Sequence, residues 1–157
     1  MTTTPAARAT GPTARQMLNK VPKVTVYFWL IKVLCTTVGE TFADFLSDNL
    51  GLGLTNTTWI MAVALGAVLI VQFRLRRYVP AVYWVAVVGI SIVGTLITDN
   101  LTDKLGVSLA LTTPVFAVAL AIVFGIWWAS ERTLSIHTIV TTRREGFYWL
   151  AVLFTFA

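Results

Sequence analysis

Cysteine is nearly missing from this chain. Cys35 is the only one, which excludes an intramolecular disulfide and any cysteine-built metal site. Charge is scarce too. Asp, Glu, Lys and Arg make up 12% of the 157 residues, about half the ~25% of a typical soluble domain. That deficit excludes an ordinary water-soluble globule and fits a chain whose solvent is mostly lipid. No nucleophile stands with a base at a recognisable spacing, and no phosphate-binding glycine loop or zinc spacing occurs. The expectation is a protein that is not an enzyme and needs no cofactor. The single histidine, His137, falls in a basic loop, where polar surface is the first reading and a proton or ligand role the second. Residues 1–20 have no hydrophobic run, so they are not a signal peptide. Rich in Thr, Ala and Pro, with Arg8, Arg15 and Lys20, they read as a disordered basic tail.

What is present in quantity is apolar surface, at 57% of residues. It is gathered into runs over residues 24–46, 57–73, 79–98 and 113–129. A helix needs about 20 residues to cross ~30 Å of hydrocarbon, so these are read as spans. Residues 130–145 are too polar to span and suit a loop or an interfacial helix. Residues 146–157 are apolar but reach only ~18 Å as a helix. The net charge of +5 comes from basic residues in alternate gaps: Lys20 and Lys23, then Arg74, Arg76 and Arg77, then Arg132, Arg143 and Arg144. This is the positive-inside bias, not a nucleic-acid surface. It predicts a multi-pass protein of the plasma (inner) membrane with a cytoplasmic N-terminus and the acidic turns opposite.

The chain repeats itself. A shift of 55 lays Trp29 on Trp84, Gly39 on Gly94, Asp44 on Asp99, Asp48 on Asp103 and Gly51 on Gly106, with no gap. The unit is a helical hairpin with an acidic, glycine-bearing turn. Residues 21–78 form the first hairpin and 79–133 the second. Residues 134–157 are a cytoplasmic loop and the start of an incomplete third copy, where Tyr148-Trp149 matches Tyr83-Trp84. Two crossings per unit keep the copies in one orientation, so the axis relating them lies near the membrane normal. The expected fold is an all-α, polytopic transmembrane helix bundle of parallel-repeat hairpins, with four full spans and a partial fifth.

The stretches Lys20 to Trp29, Thr36 to Asp44, Thr98 to Asp103 and Leu134 to Ile139 resemble a bacterial family of polytopic membrane proteins. That family is built from a membrane repeat known as domain of unknown function 347. The resemblance implies the hairpin fold and no settled activity. It also implies a longer chain with further hairpins, so this one reads as truncated or as completed by another membrane subunit or a further copy of itself.

Chemistry concentrates at the end of the first span. Glu40, Asp44 and Asp48 follow one another at steps of four, which places neighbours ~5–6 Å apart on a helix. Carboxylates at membrane depth are costly and usually face the bundle interior or water. Glu40 and Asp44, with Asp99, Thr36, Thr37 and Thr95, offer hard oxygen ligands for a small cation, a divalent metal or a proton, the identity of any metal being unspecified. Lys32 is the expected charge partner for an acid on another helix. Asp48 and Asp103 are expected to be turn acids. The functional expectation is passage of a small cation past Glu40, Asp44 and Asp99. The alternative is a non-catalytic membrane scaffold or regulator.

Overall fold

The computed structural model describes residues 20–136 and 139–157. Helix α1 is Val26–Asp44, running directly into a π-helical turn at Phe45–Asn49. Helix α2 is Leu54–Arg74. Helix α3 is Pro80–Asp99, followed by a second π-helical turn at Asn100–Lys104. Helix α4 is Leu109–Glu131 and α5 is Thr142–Phe156. The first four are long and apolar enough to cross a membrane, and α5 is shorter. The chain is thus an all-helical, multi-pass membrane protein, with no strand among the described residues.

Local chemistry explains the helix starts. The Thr25 hydroxyl accepts from the Phe28 N–H at 3.3 Å, satisfying one orphan donor at the start of α1. The Thr141 hydroxyl does the same for Arg144 at 3.4 Å and starts α5 at Thr142, a turn before the apolar run. Pro80 opens α3 where its missing N–H costs nothing. Helix α4 begins earlier than the cap-then-proline signal at Thr113-Pro114 suggests. The Ser108 carbonyl accepts from both Leu111 and Thr112, so a first turn forms ahead of Pro114. A proline this close to the N-terminus removes only one bond from the helix interior.

Helix α3 lies at the centre, packed against α1, α2 and α5, while α4 packs against α5. Tyr83, Ala86, Val87, Ile90, Val93 and Leu96 make it the most buried helix. The two helices of each hairpin make little contact with each other. Instead α3 wedges between α1 and α2, and α5 wedges between α3 and α4. The second wedge repeats the first in register. Phe28 meets Trp84 with ring centroids 5.7 Å apart and planes at 47°, and Tyr83 meets Trp149 at 5.3 Å and 46°. Further along, Gly39 faces Ser91 and Gly94 faces Phe156. The outer partner advances by 55 residues and the inserted partner by 65, the extra residues lying in the loop before α5. Lipid is as apolar as a leucine side chain, so such contacts hold by close packing of small residues, and Gly39, Ala43, Ala86 and Gly94 serve this here.

The turns repeat as closely as the helices. Both π-helical turns fall at equivalent positions, and Gly51 and Gly106 follow with φ of 64° and 67°. Only glycine adopts that left-handed backbone without strain. In each turn a hydroxyl donates to the next acid: Ser47 to Asp48 and Thr102 to Asp103, both at 3.1 Å. Asp48 and Asp103 thus each accept a hydrogen bond from the residue before them.

Candidate functional site

The acidic ends of α1 and α3 lie side by side. Gly39 and Ala43 are buried on α1, so Glu40 and Asp44, one residue further round, flank the contact with α3 and remain exposed. Asp99 is half-buried at the end of α3. The negative charges of Asp103, Asp44, Glu40 and Asp48 all act on it. Both repeats thus contribute acids to one end of the bundle. Among the described residues none of these five carboxylates has an ion-pair partner. The acids gather without closing into a cage: among the described residues, no three His, Cys, Asp or Glu side chains come close enough to hold a metal ion.

The expected hydroxyl ligands are differently placed. Thr36 donates to the Lys32 carbonyl at 3.1 Å and Thr37 to the Val33 carbonyl at 3.5 Å, so both hydroxyls are used within their own helix. Thr95 is half-buried on α3, one turn before Asp99. Beside the acids, Asn100 bridges the repeats by donating to Thr58 at 2.8 Å and to the Leu96 carbonyl at 2.7 Å. Lys104 donates to Thr55 at 2.5 Å rather than to a carboxylate.

Lys32 is half-buried and reaches no acid within 4 Å among the described residues. Its ammonium sits over the rings of Trp29 and Phe156, 5.6 and 5.7 Å from their centroids. Such cation–π contacts are worth roughly 0.5–2 kcal/mol. Lys32 also lines a small cavity with Phe28, Tyr83, Trp84 and Tyr148, with room for about one water molecule. The Tyr83 and Tyr148 hydroxyls meet there at 2.5 Å. His137 lies outside the described residues.

Sequence reasoning missed a second polar centre at the opposite, basic end. Lys20, assigned to the tail, is 5% exposed, and Glu145 is 1% exposed. The Lys20 Nζ donates to Glu145 Oε2 at 2.6 Å and to the Phe73 carbonyl at 3.2 Å. Gln72 Nε2 donates to the other carboxylate oxygen at 3.0 Å. The Lys20 backbone N–H donates to the Ile139 carbonyl at 3.2 Å. The cluster ties the segment before α1 to the end of α2 and the start of α5. Gln72, a lone amide between Val71 and Phe73 in an apolar run, was the available signal. Nearby, Arg144 pairs with Glu131 at 2.7 Å and joins α4 to α5.

Comparison with known proteins agrees with this repeat. A family model described as Repeat of Unknown Function (DUF347) matches residues 27–78 and 82–133. The two matches are offset by the same 55 residues that superpose the hairpins. No curated protein and no solved structure matches the chain.

Proposed function

We propose that this chain, which belongs to the Repeat of Unknown Function (DUF347) family, passes a small cation across the plasma membrane along the acidic ends of α1 and α3. One observation carries the reading: five carboxylates from two repeats share one end of the bundle, and among the described residues none is ion-paired. Like charges so arranged repel, and a cation relieves the repulsion. Glu40 and Asp44 belong to the first span and Asp99 to the third, so the cation would pass between repeats. In this reading the N-terminus and the basic ends face the cytoplasm, following the positive-inside bias. Asp48 and Asp103 shape the mouth, and a proton is the second candidate cargo.

The chain reconstituted in vesicles is expected to move one member of a panel of monovalent and divalent cations. Glu40→Gln and Asp99→Asn keep side-chain shape and remove charge, so each is expected to abolish that flux while the protein stays folded. Unchanged flux in both variants would end the proposal. The alternative, a non-catalytic membrane scaffold or regulator, is favoured by the Thr36 and Thr37 hydroxyls being used within their own helix. In that case the two variants alter abundance, and no cation moves even with the native chain.

A further inference from the structure

We infer that the groove between the end of α2 and the start of α3 binds an anionic phospholipid, one acyl chain lying in the groove and the phosphate held by Arg74, Arg76 and Arg77. Val68 and Val71 of α2 and Ala81, Val82 and Val85 of α3 line a groove of about 220 Å³, and every one of them is aliphatic. Both helices are membrane spans, and Val71 and Val85 are 49% and 55% exposed, so the groove opens outward to lipid. Its size suits a single extended chain. One turn of helix, about 10 Å across and about 5.4 Å long, already fills roughly 400 Å³.

Val68, Val71 and Arg74 follow one another at steps of three, so Arg74 continues the groove wall on the same face of α2. Arg76 and Arg77 lie in the short loop that joins the two walls. All three arginines are exposed, and among the described residues none makes an ion pair. Basic clusters where a span leaves the hydrocarbon attract anionic lipid, and a guanidinium meets a phosphate with two parallel hydrogen bonds. The second repeat carries a closed version of the same place. Phe147 stands there in place of Val82 and stacks on Trp127, with ring centroids 6.2 Å apart and planes at 8°. Val123, the equivalent of Val68, is 6% exposed, whereas Val68 is half-buried. Glu131 takes the position of Arg76 and pairs with Arg143 at 3.9 Å and Arg144 at 2.7 Å. One copy thus fills its groove with an aromatic ring and neutralises arginines with its own acid. The other leaves both groove and arginines open. A polypeptide covering them would have to bring a narrow aliphatic tip and an acid together, whereas an anionic leaflet supplies that pairing in every molecule.

The test uses the full chain in a neutral detergent, offered phosphatidylglycerol or phosphatidylcholine with the same acyl chains, and native mass spectrometry reads the lipid retained. Phosphatidylglycerol is expected to be held more tightly. Glycerol phosphate, a headgroup without chains, is expected not to displace it; displacement would mark a plain phosphate site and overturn the inference. Replacing Arg74, Arg76 and Arg77 together by Gln should weaken phosphatidylglycerol binding about a hundredfold, at roughly fivefold per arginine. Arg74→Gln should cost more than Arg143→Gln, which removes the same charge from the closed repeat. Val82→Phe copies the closed repeat, keeps every arginine and should lose the lipid as well. A phosphatidylglycerol with a photoreactive group midway along one chain guards against misfolded variants, and should label the unmodified chain between residues 68 and 85. Equal retention of the two lipids, equal losses from Arg74→Gln and Arg143→Gln, lipid retained by a folded Val82→Phe variant, or label spread evenly over the four spans would each overturn the inference. Neither assay reads ion movement, so its failure is distinct from failure of the cation reading.

Discussion

Replacing Glu145 by alanine is expected to lower the unfolding free energy of the chain in lipid by about 3–5 kcal/mol, the usual consequence of breaking a buried ion pair. The cause is the charge left behind. The Lys20 side chain is 6% exposed and donates at 2.6 Å to Glu145. Without the carboxylate, only the Phe73 carbonyl, 3.2 Å away, remains to it among the described residues. The Gln72 amide loses its acceptor in the same step. Lys20→Met is expected to cost a similar amount, because it strands Glu145. The double variant Lys20→Met with Glu145→Leu should recover most of the loss, since an apolar pair of similar volume often replaces a buried ion pair without penalty. Reversible denaturation monitored by Trp fluorescence provides the measurement. A loss below about 1 kcal/mol for both single variants is the range of an exposed pair, and would show that the cluster is solvated.

Gly39→Ala is expected to separate α1 from α3. An alanine Cβ would lie 2.2 Å from the Ser91 Oγ and 2.5 Å from its Cβ, with the Ile92 backbone nitrogen at 3.1 Å. Overpacking of this kind costs about 1–3 kcal/mol. The rescue is specific. Ser91→Gly removes both closest atoms and should restore most of the stability, whereas Ser91→Ala keeps the Cβ and should not. Gly94→Ala meets Phe156 Cβ at 2.8 Å and the Phe156 backbone carbon at 2.9 Å, so no substitution at Phe156 fully relieves it. Equal tolerance of alanine at both glycines would contradict the close approach. A separated α1 also carries Glu40 and Asp44 away from Asp99, so Gly39→Ala should weaken any cation movement along that end while every carboxylate remains.

The spans and the repeat were legible because both are patterns along the chain. Apolar runs of membrane length, basic gaps and the recurrence of Gly39, Asp44, Asp48 and Gly51 require no tertiary knowledge. The matching surroundings of Asp48 and Asp103 were legible for the same reason, since the hydroxyls of Ser47 and Thr102 sit at the same offset in each copy. What could not be read was pairing between distant elements. Lys20 and Glu145 are 125 residues apart, and Lys20 stands among basic residues that account for it as a topology signal. Lys32 was expected to seek an acid, yet the wedge brings Phe156 over its ammonium, a contact that depends on where α5 inserts. The gathering of acids from both repeats was suggested by their shared register. The use of the Thr36 and Thr37 hydroxyls by their own helix was not, because a hydroxyl four residues from a carbonyl has the choice of bonding locally or outward.

The wedge arrangement also bears on biosynthesis. Helices α1 and α2 meet chiefly through α3, so a first hairpin newly released into the bilayer has no finished interior of its own. Its buried-to-be Gly39 waits for a helix that has not yet been translated. The second hairpin waits in turn for α5. Maturation therefore runs from the N-terminus onward, each newcomer completing its predecessor. Chains stalled after α2 are expected to be recognised by quality-control proteases, whereas chains stalled after α3 should already shelter their first unit.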